Sequence, residues 1–253
     1  MIFETHAHYD DEAFDSDRET LIGKLPEQGI SPVVNVGASL DSCKRTLELV
    51  ERYPFFYGAI GVHPSETREL TEENFPLLRE WCRQERIVAV GEIGLDYYWA
   101  ENPPKERQQE LFRQQVLLAK ELGLPVIIHD REAHADILEV LRELRPQGVL
   151  HCFSGSAEMA REAAALGMYM GFTGAVTFKN ARKAPQAAAA VPDDRLLIET
   201  DCPYMAPEPY RGKRCDSSML PRVAERLAEI RGCTAEEIVE MTCRNAKRLF
   251  GIA

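Results

Sequence analysis

The chain has 253 residues and a formal net charge of −11, and hydrophobic residues make up 45% of it. This length suits one or two domains, the apolar fraction excludes a disordered chain, and no apolar run reaches the ~18 residues that a membrane span needs. The acidic balance argues against a broad, non-specific nucleic-acid surface, because such surfaces are usually basic.

Seven cysteines occur without a C-x-x-C pair. An odd number of thiols in a chain of this size predicts reduced cysteines and a cytoplasmic protein, not a disulfide framework. The first residues lack the basic region and the apolar stretch of a signal peptide. No internal repeat or linker divides the sequence, so we expect a single domain over residues 1–253 and no membrane association.

Short apolar runs alternate with segments of helical periodicity. The strand candidates are residues 2–3, 33–36, 55–60, 87–90, 126–128, 149–150, 168–170 and 196–198. Ser16 with Glu19 predicts a capping box before the first helix, and Thr234 with Glu237 predicts another before the last. The alternation predicts eight parallel β-α units, which fit an α/β fold of the closed (β/α)₈ TIM-like type. An open doubly wound sheet is the alternative.

Side chains that bind metals follow five of these apolar runs: His6, His8, Glu92, His129, His151 and Asp201. In a barrel the C-terminal ends of all strands meet at one mouth. In an open sheet the first and last strands lie far apart. The barrel is therefore the architecture that brings these residues together.

His6 and His8 stand two residues apart after an apolar start. Residues with this spacing in a strand point to the same side, and two imidazoles on one side form the beginning of a divalent-metal site. An incidental pair at a solvated terminus is the alternative. Glu92 lies between two glycines, and a carboxylate can bind two cations through its two oxygens. A salt-bridged surface acid is the alternative for Glu92.

His129, His151 and Asp201 complete the candidate set. For each histidine the alternative is a hydrogen-bonded core residue. Asp201 is a candidate both for a metal ligand and for the base that takes a proton from water, because a metal lowers the pKa of water towards ~7. Glu199 is a candidate for orienting a ligand histidine, and Asp96 for capping or bracing its loop.

Four residues are candidates for substrate binding: His63, Arg131, Tyr204 and Arg214. The irregular stretch 203–221 also carries Arg211 and Lys213, which with Arg214 form either a local cationic rim or a solvated charged loop. Tyr97, Tyr98 and Trp99 are candidates for stacking on unpaired bases, with core packing as the alternative. Cys152 and Cys202 adjoin ligand candidates and should face away from them, as packing residues.

Six motifs appear in a fixed order: E-T-H-A-H-Y-D at 4–10, G-V-H-P at 61–64, G-E-I-G-L-D-Y at 91–97, P-V-I-I-H-D-R at 125–131, H-C-F-S-G-S at 151–156 and E-T-D-C-P-Y at 199–204. With them, essentially the whole chain resembles the TatD family of metal-dependent deoxyribonucleases, within the amidohydrolase-like superfamily. The resemblance implies a binuclear site. One metal would be held by His6, His8, Glu92 and Asp201, and the second would share Glu92 and add His129 and His151. Family members are similar in being Mg²⁺-dependent nucleases, some of them 3′–5′ exonucleases on single-stranded ends.

Two positions depart from the family pattern. Glu4 stands where the family usually has the shorter Asp, and residues 214–217 read R-C-D-S where it usually has R-N-E-P. The second departure borders the expected mouth of the barrel. We therefore expect it to affect substrate preference more than catalysis.

Three hypotheses follow. The first is a two-metal phosphodiesterase acting on DNA or RNA ends, with Asp201 as base and no obligatory protein partner. The second is an ester or amide hydrolase, for example of a lactone or an aminoacyl-tRNA, because metal-activated water also attacks carbonyls. The third is a binding module that has lost its chemistry, and the intact ligand set argues against it. Two Mg²⁺ ions are the expected cofactors, although four imidazoles also suit Zn²⁺ or Mn²⁺.

Overall fold

The computed structural model describes all 253 residues. Its eight strands are β1 (Ile2–Ala7), β2 (Ile30–Val36), β3 (Phe56–Ile60), β4 (Ile87–Asp96), β5 (Val126–Arg131), β6 (Gly148–Leu150), β7 (Met168–Phe172) and β8 (Leu196–Ile198). Its nine α-helices are α1 (Arg18–Lys24), α2 (Leu40–Arg52), α3 (Phe75–Trp81), α4 (Lys105–Leu122), α5 (His134–Leu144), α6 (Ala157–Ala165), α7 (Lys183–Ala190), α8 (Leu220–Arg231) and α9 (Ala235–Phe250). None of these helices combines the length and the apolar character needed to cross a bilayer.

The strands form one parallel sheet in the order of the sequence, and the backbone just beyond β8 closes it against β1. The Asp201 N–H donates to the His6 carbonyl at 2.9 Å, and the His8 N–H donates to the Cys202 carbonyl at 2.8 Å. An open sheet would leave its first and last strands at opposite edges. The predicted TIM-like barrel is therefore confirmed, and the doubly wound alternative is excluded.

Three strands continue beyond the apolar runs that predicted them and into the polar residues of the mouth. β1, β4 and β5 extend through His6, Glu92 and His129, whereas the sequence placed strand only over the apolar residues before them. The reason lies in the pairing of β4 with β5, in which Gly94 lies opposite His129. Backbone hydrogen bonds between parallel strands do not depend on side-chain polarity, so the ladder runs on into the polar mouth.

The two predicted capping boxes have different outcomes. At α9 the box is present, with Thr234 accepting from the Glu237 N–H and Glu237 accepting from the Thr234 N–H. At α1 the prediction is wrong, because the residue before the helix is Asp17 and it makes no side-chain cap. The Asp17 carboxylate is instead bound to Arg214.

The last helix closes one end of the barrel. Inward-facing apolar side chains from all eight strands form a cluster with the end of α9, and the rings of Phe3 and Phe250 stack with centroids 6.0 Å apart. Gly251 ends α9 in a left-handed conformation with φ of 66°, which glycine adopts without strain. Because α9 seals the end near the strand starts, the opposite end is left for polar side chains.

Gly94 tests how tightly β4 and β5 are packed at the mouth. Its φ is +139°, and a Cβ there would overlap the His129 carbonyl oxygen. We expect Gly94→Ala to lower the free energy of unfolding by about 3 kcal/mol, because it combines backbone strain with a clash against backbone.

Gly23 is the matched control, because it lies within α1 and a Cβ there meets nothing within 4 Å. Gly23→Ala should raise stability by roughly 0.5–1 kcal/mol through helix propensity. Urea unfolding of both variants gives the comparison. Equal stabilities would contradict the assigned packing.

Candidate metal centre

The two N-terminal histidines meet at the mouth of the barrel. His6 belongs to β1 and His8 follows it, and their Nε2 atoms lie 3.0 Å apart. Both residues are buried. The spacing of two residues therefore does bring both rings to one point, as the sequence predicts.

Two carboxylates face this pair of nitrogens. Glu92 Oε2 lies 3.5 Å from His6 Nε2 and 3.6 Å from His8 Nε2. Asp201 Oδ1 lies 3.6 Å and 3.4 Å from the same two atoms. Two imidazole nitrogens and two carboxylate oxygens thus converge from β1, β4 and the segment after β8. Nitrogen and carboxylate donors of this kind are suited to a divalent cation.

The other oxygen of Glu92 faces a second pair of imidazoles. Glu92 Oε1 lies 2.7 Å from His151 Nε2 and 2.9 Å from His129 Nδ1, and these two nitrogens are 3.3 Å apart. One buried carboxylate therefore contributes to two ligand groups, one through each oxygen. This is the arrangement expected of a bridging ligand between two cations.

The outer ring nitrogens show that the inner nitrogens are suited to metal binding. His8 Nδ1 lies 2.7 Å from the Val36 carbonyl oxygen, which can only accept, so Nδ1 carries a proton and Nε2 is the nitrogen that can bind a cation once its own proton has left. His129 Nε2 faces Asp96 Oδ2 at 3.2 Å, whereas His151 Nδ1 stands 3.7 Å from Glu199 Oε1, beyond hydrogen-bond distance. Such outer partners fix the ring orientation of metal-binding histidines.

Charge compensation dominates the electrostatics of the centre. Burial raises the pKa of a carboxylic acid, yet the imidazoles of His151 and its neighbours hold the pKa of Glu92 well below its usual range. Burial lowers the pKa of His6. It also opposes the charge on His8, but the carboxylates of Asp201 and Glu92 raise the pKa of His8 to about 9. Without a cation, protons on the imidazoles therefore balance the carboxylates.

Glu4 supports the segment that carries Asp201. Its carboxylate accepts from the Thr200 N–H at 2.9 Å and from the Thr200 hydroxyl at 2.6 Å. Asp201 itself has a φ of +60°, a strained conformation for a residue other than glycine. Burial raises the pKa of Glu4 to about 7. Glu4, one of the two places where the chain departs from the family pattern, therefore braces the segment of Asp201 against β1.

Two further acids support the ligand histidines. Glu199 accepts from the Cys152 N–H at 2.6 Å, which holds its carboxylate near His151. Its role in orienting that histidine stays a prediction. Asp96 caps its loop, one of the two roles predicted for it, and also contacts a ligand histidine, which was not predicted. One oxygen faces His129, and the other accepts from the Tyr98 N–H at 2.9 Å.

Asn35 is a supporting residue that the sequence reasoning missed. It accepts from the Tyr9 N–H at 2.7 Å and donates to Asp10 at 2.8 Å, and so holds the segment after His8. The signal in the sequence was a single amide within the apolar run 33–36. Ser42 donates to the same Asp10 carboxylate at 2.6 Å.

Two of the predicted substrate-binding residues border the ligand groups. His63 Nε2 lies 3.8 Å from Glu92 Oε1, and burial lowers the pKa of His63 to about 3, so its imidazole is neutral at pH 7. The Arg131 guanidinium lies over the ring of Tyr98, with 4.1 Å from Cζ to the ring centroid. The roles of both residues stay predictions.

The other two lie on the β8 side and are already engaged. The Tyr204 side chain is exposed, and its hydroxyl donates to Asp11 at 3.0 Å. Arg214 donates to both oxygens of Asp17, at 2.8 Å and 2.6 Å. The charge of Arg214 is therefore neutralised by an ion pair between the loop after β8 and the start of α1. Its substrate-binding role stays a prediction that this geometry does not favour.

Four of the remaining candidates make packing contacts within the protein. The Tyr97 hydroxyl donates to Asp136 at 2.7 Å, so Tyr97 has the packing role that was its alternative. The Arg211 guanidinium covers the ring of Phe178 at 4.3 Å. Cys202 is buried, and the Cys152 sulfur lies 3.4 Å from the Thr173 hydroxyl, so both cysteines serve packing. Cys152 reaches this position with a φ of +42° beyond β6, not through the strand alternation predicted for it.

Known proteins resemble this chain over its full length. The family model described as TatD related DNase matches residues 3–251. An uncharacterized metal-dependent hydrolase of Bacillus subtilis, YabD, is 46% identical over 100% of both chains. The 3′-5′ ssDNA/RNA exonuclease TatD of Cronobacter sakazakii is 36% identical and covers 94% of this chain and 93% of its own. The crystal structure of the TatD homolog YjjV from Escherichia coli superposes with a TM-score of 0.94 at 32% identity, covering 100% of this chain and 98% of that one.

Cation binding should release protons. The raised pKa of His8, about 9, means that its imidazole is protonated at pH 7, so a cation must displace the proton from Nε2. Apparent affinity for Mn²⁺ should therefore fall about tenfold per pH unit below pH 9 for each proton displaced. Calorimetry in buffers of different ionisation enthalpy measures this release.

His134 provides the control. It pairs with Asp130 at 2.7 Å and is the one histidine outside the ligand groups and their border. His134→Ala should leave the proton release unchanged. Binding heats that do not depend on the buffer, in the wild-type protein, would contradict the account.

Proposed function

The chain belongs to the family of TatD-related DNases, and we propose that it is a metal-dependent phosphodiesterase that shortens single-stranded DNA or RNA from the 3′ end. The observation that supports this most is the use of both Glu92 oxygens, each facing its own pair of histidines. Two divalent cations bound there would supply Lewis acidity for a scissile phosphate and would acidify water. The exonuclease name of the Cronobacter relative supports the choice of substrate.

Asp201 is the residue that we assign as base. Burial raises the pKa of this carboxylic acid, but the hydrogen bond with His8 and the neighbouring imidazoles outweigh the effect and lower it. The carboxylate is therefore ionised at neutral pH and can accept a proton from water. Its strained backbone, held by Glu4 through Thr200, aims the side chain at the ligand nitrogens.

Glu92 acts as the shared ligand, and His63 contacts the phosphate. A neutral imidazole beside the shared carboxylate offers substrate a hydrogen bond without adding charge. Arg131 offers the cationic contact, because its guanidinium lies against the Tyr98 ring and not against a carboxylate. Tyr204 is proposed as a substrate contact on the β8 side. Arg214 would have to exchange its ion pair with Asp17 for the substrate, so it is the weakest of the four candidates.

The charge at the mouth of the barrel can be positive although the net charge of the chain is negative. The net charge is −11, but a pair of divalent cations would bring about +4 to the place where the phosphate binds. We propose Mg²⁺ as the ion used in cells, with Mn²⁺ and Zn²⁺ as ions that four imidazoles also bind. All seven cysteines are free thiols, which supports the cytoplasmic setting proposed from the sequence.

A 5′-labelled single-stranded oligonucleotide tests the proposal. Metal-depleted protein should be inactive, and restoring Mg²⁺, Mn²⁺ or Zn²⁺ should yield a ladder shortened from the 3′ end. Asp201→Asn should lower kcat by roughly 10²–10⁴-fold, because it removes the base and a ligand. Asp194→Asn, at an exposed aspartate before β8, is the matched control and should retain full activity.

Two results decide against the nuclease. The first is absence of DNA or RNA cleavage with every metal, in protein shown to hold two ions. The second is metal-dependent hydrolysis of a lactone or an aminoacyl ester by the same protein, lost in Asp201→Asn. The second result would assign the alternative carbonyl chemistry to the site.

A further inference from the structure

Two aromatic side chains stand exposed beside the metal centre. Tyr98 and Trp99 directly follow the β4 motif, and their side chains are 54% and 47% exposed. Their rings meet edge to face with centroids 4.8 Å apart. Large aromatic residues are usually buried in protein cores. Two adjacent exposed aromatic side chains at the mouth of a site therefore indicate a surface that binds a ligand. Packing, the alternative drawn from the sequence, does not apply to these two.

The guanidinium of Arg131 lies against these two rings and forms one surface with them. Arg131 Cζ lies 4.1 Å from the centroid of the Tyr98 ring and 5.2 Å from that of Trp99. Its side chain makes no hydrogen bond and no ion pair within the protein, in contrast to Arg214. The aromatic rings fix its position by cation–π attraction, and its N–H donors remain available to a phosphate.

A single carboxylate couples this surface to the metal centre. Asp96 faces His129 with one oxygen and accepts from the Tyr98 N–H with the other. The Tyr97 N–H donates to the Arg131 carbonyl at 2.9 Å, which joins the two strands at their ends. Gln108 binds both the N–H and the carbonyl of Asp96. The surface is thus held at a fixed position relative to the ligand histidines.

We propose that Tyr98, Trp99 and Arg131 form a nucleotide subsite, in which an unpaired base stacks on the exposed aromatic rings and the adjoining phosphate binds Arg131. This inference rests on the proposed function and adds to it the surface that recognises an unpaired base. The faces of bases in a duplex are covered by neighbouring pairs, so the subsite selects single-stranded ends. Stacking tolerates every base, so sequence preference is weak.

Binding without metal isolates the subsite from catalysis. The probe is a fluorescein-labelled oligothymidylate in chelator, read by anisotropy. Loss of one stacked base corresponds to roughly 5–150-fold in affinity, and we expect about tenfold weaker binding for Trp99→Ala. Trp99→Phe should restore most of the affinity. Leu117→Ala is the matched control, because Leu117 is 52% exposed on α4, which carries no part of the subsite, and it should bind like the wild type.

Tryptophan fluorescence gives an independent readout. The chain has two tryptophans, and Trp81 is buried in α3, so quenching by the oligonucleotide reports on Trp99. A fully abasic deoxyribose-phosphate oligomer of equal length should neither quench the emission nor distinguish Trp99→Ala from the wild type. Arg131→Ala should weaken binding of both oligomers, because it removes the phosphate contact.

The outcomes separate this inference from the proposed function. Quenching and Trp99-dependent binding without any cleavage would support the subsite and count against the nuclease. The subsite would be overturned if Trp99→Ala cleaved single strands with unchanged KM and all variants bound oligothymidylate with equal affinity. The nuclease proposal would be unaffected by that result. Equal affinity for duplex and single strand would also overturn it.

Discussion

The buried charge of Glu92 is the constraint on which the rest of the centre depends. A carboxylate withdrawn from water is costly unless positive charge or hydrogen bonds compensate it. The barrel provides compensation on both sides, with His6 and His8 near one oxygen and His129 and His151 near the other. The same geometry that satisfies the charge creates two adjoining ligand groups. The four histidines around Glu92 therefore both stabilise the buried carboxylate and provide the metal ligands.

Closure of the barrel makes that geometry available. His6 and Asp201 stand 195 positions apart in the sequence, yet the His6 carbonyl accepts from the Asp201 N–H. The hydrogen bonds of Glu4 to Thr200 add a side-chain link across the same seam. These contacts stabilise a left-handed Asp201 that the backbone alone disfavours. The seam between β1 and β8 thus positions the residue to which we assign proton transfer.

Sequence reasoning was strongest where a residue's role followed from its place along a strand. The period of two predicted that His6 and His8 share a side, and the apolar runs before Glu92, His129, His151 and Asp201 predicted a common mouth. It was weakest where the partner of a side chain comes from a distant segment. Nothing local to Arg214 indicates that Asp17 neutralises it, and nothing local to Ser16 indicates that α1 starts without a capping box.

Asp96 illustrates the same limit at the site itself. Its sequence neighbours allow both a cap and a brace, and only the folded chain shows the carboxylate serving His129 and the Tyr98 N–H together. Strand length was underestimated for a related reason. The ladder between β4 and β5 is set by both strands jointly, so the polarity of Glu92 and His129 did not end it.

A crystal structure with Mn²⁺, located by anomalous scattering, tests the central claim most directly. If Glu92 is shared between two cations, two anomalous peaks per chain are expected, one on each side of its carboxylate. One would lie against His6, His8 and Asp201, and the other against His129 and His151. A single peak, or two peaks that do not share Glu92, would contradict it.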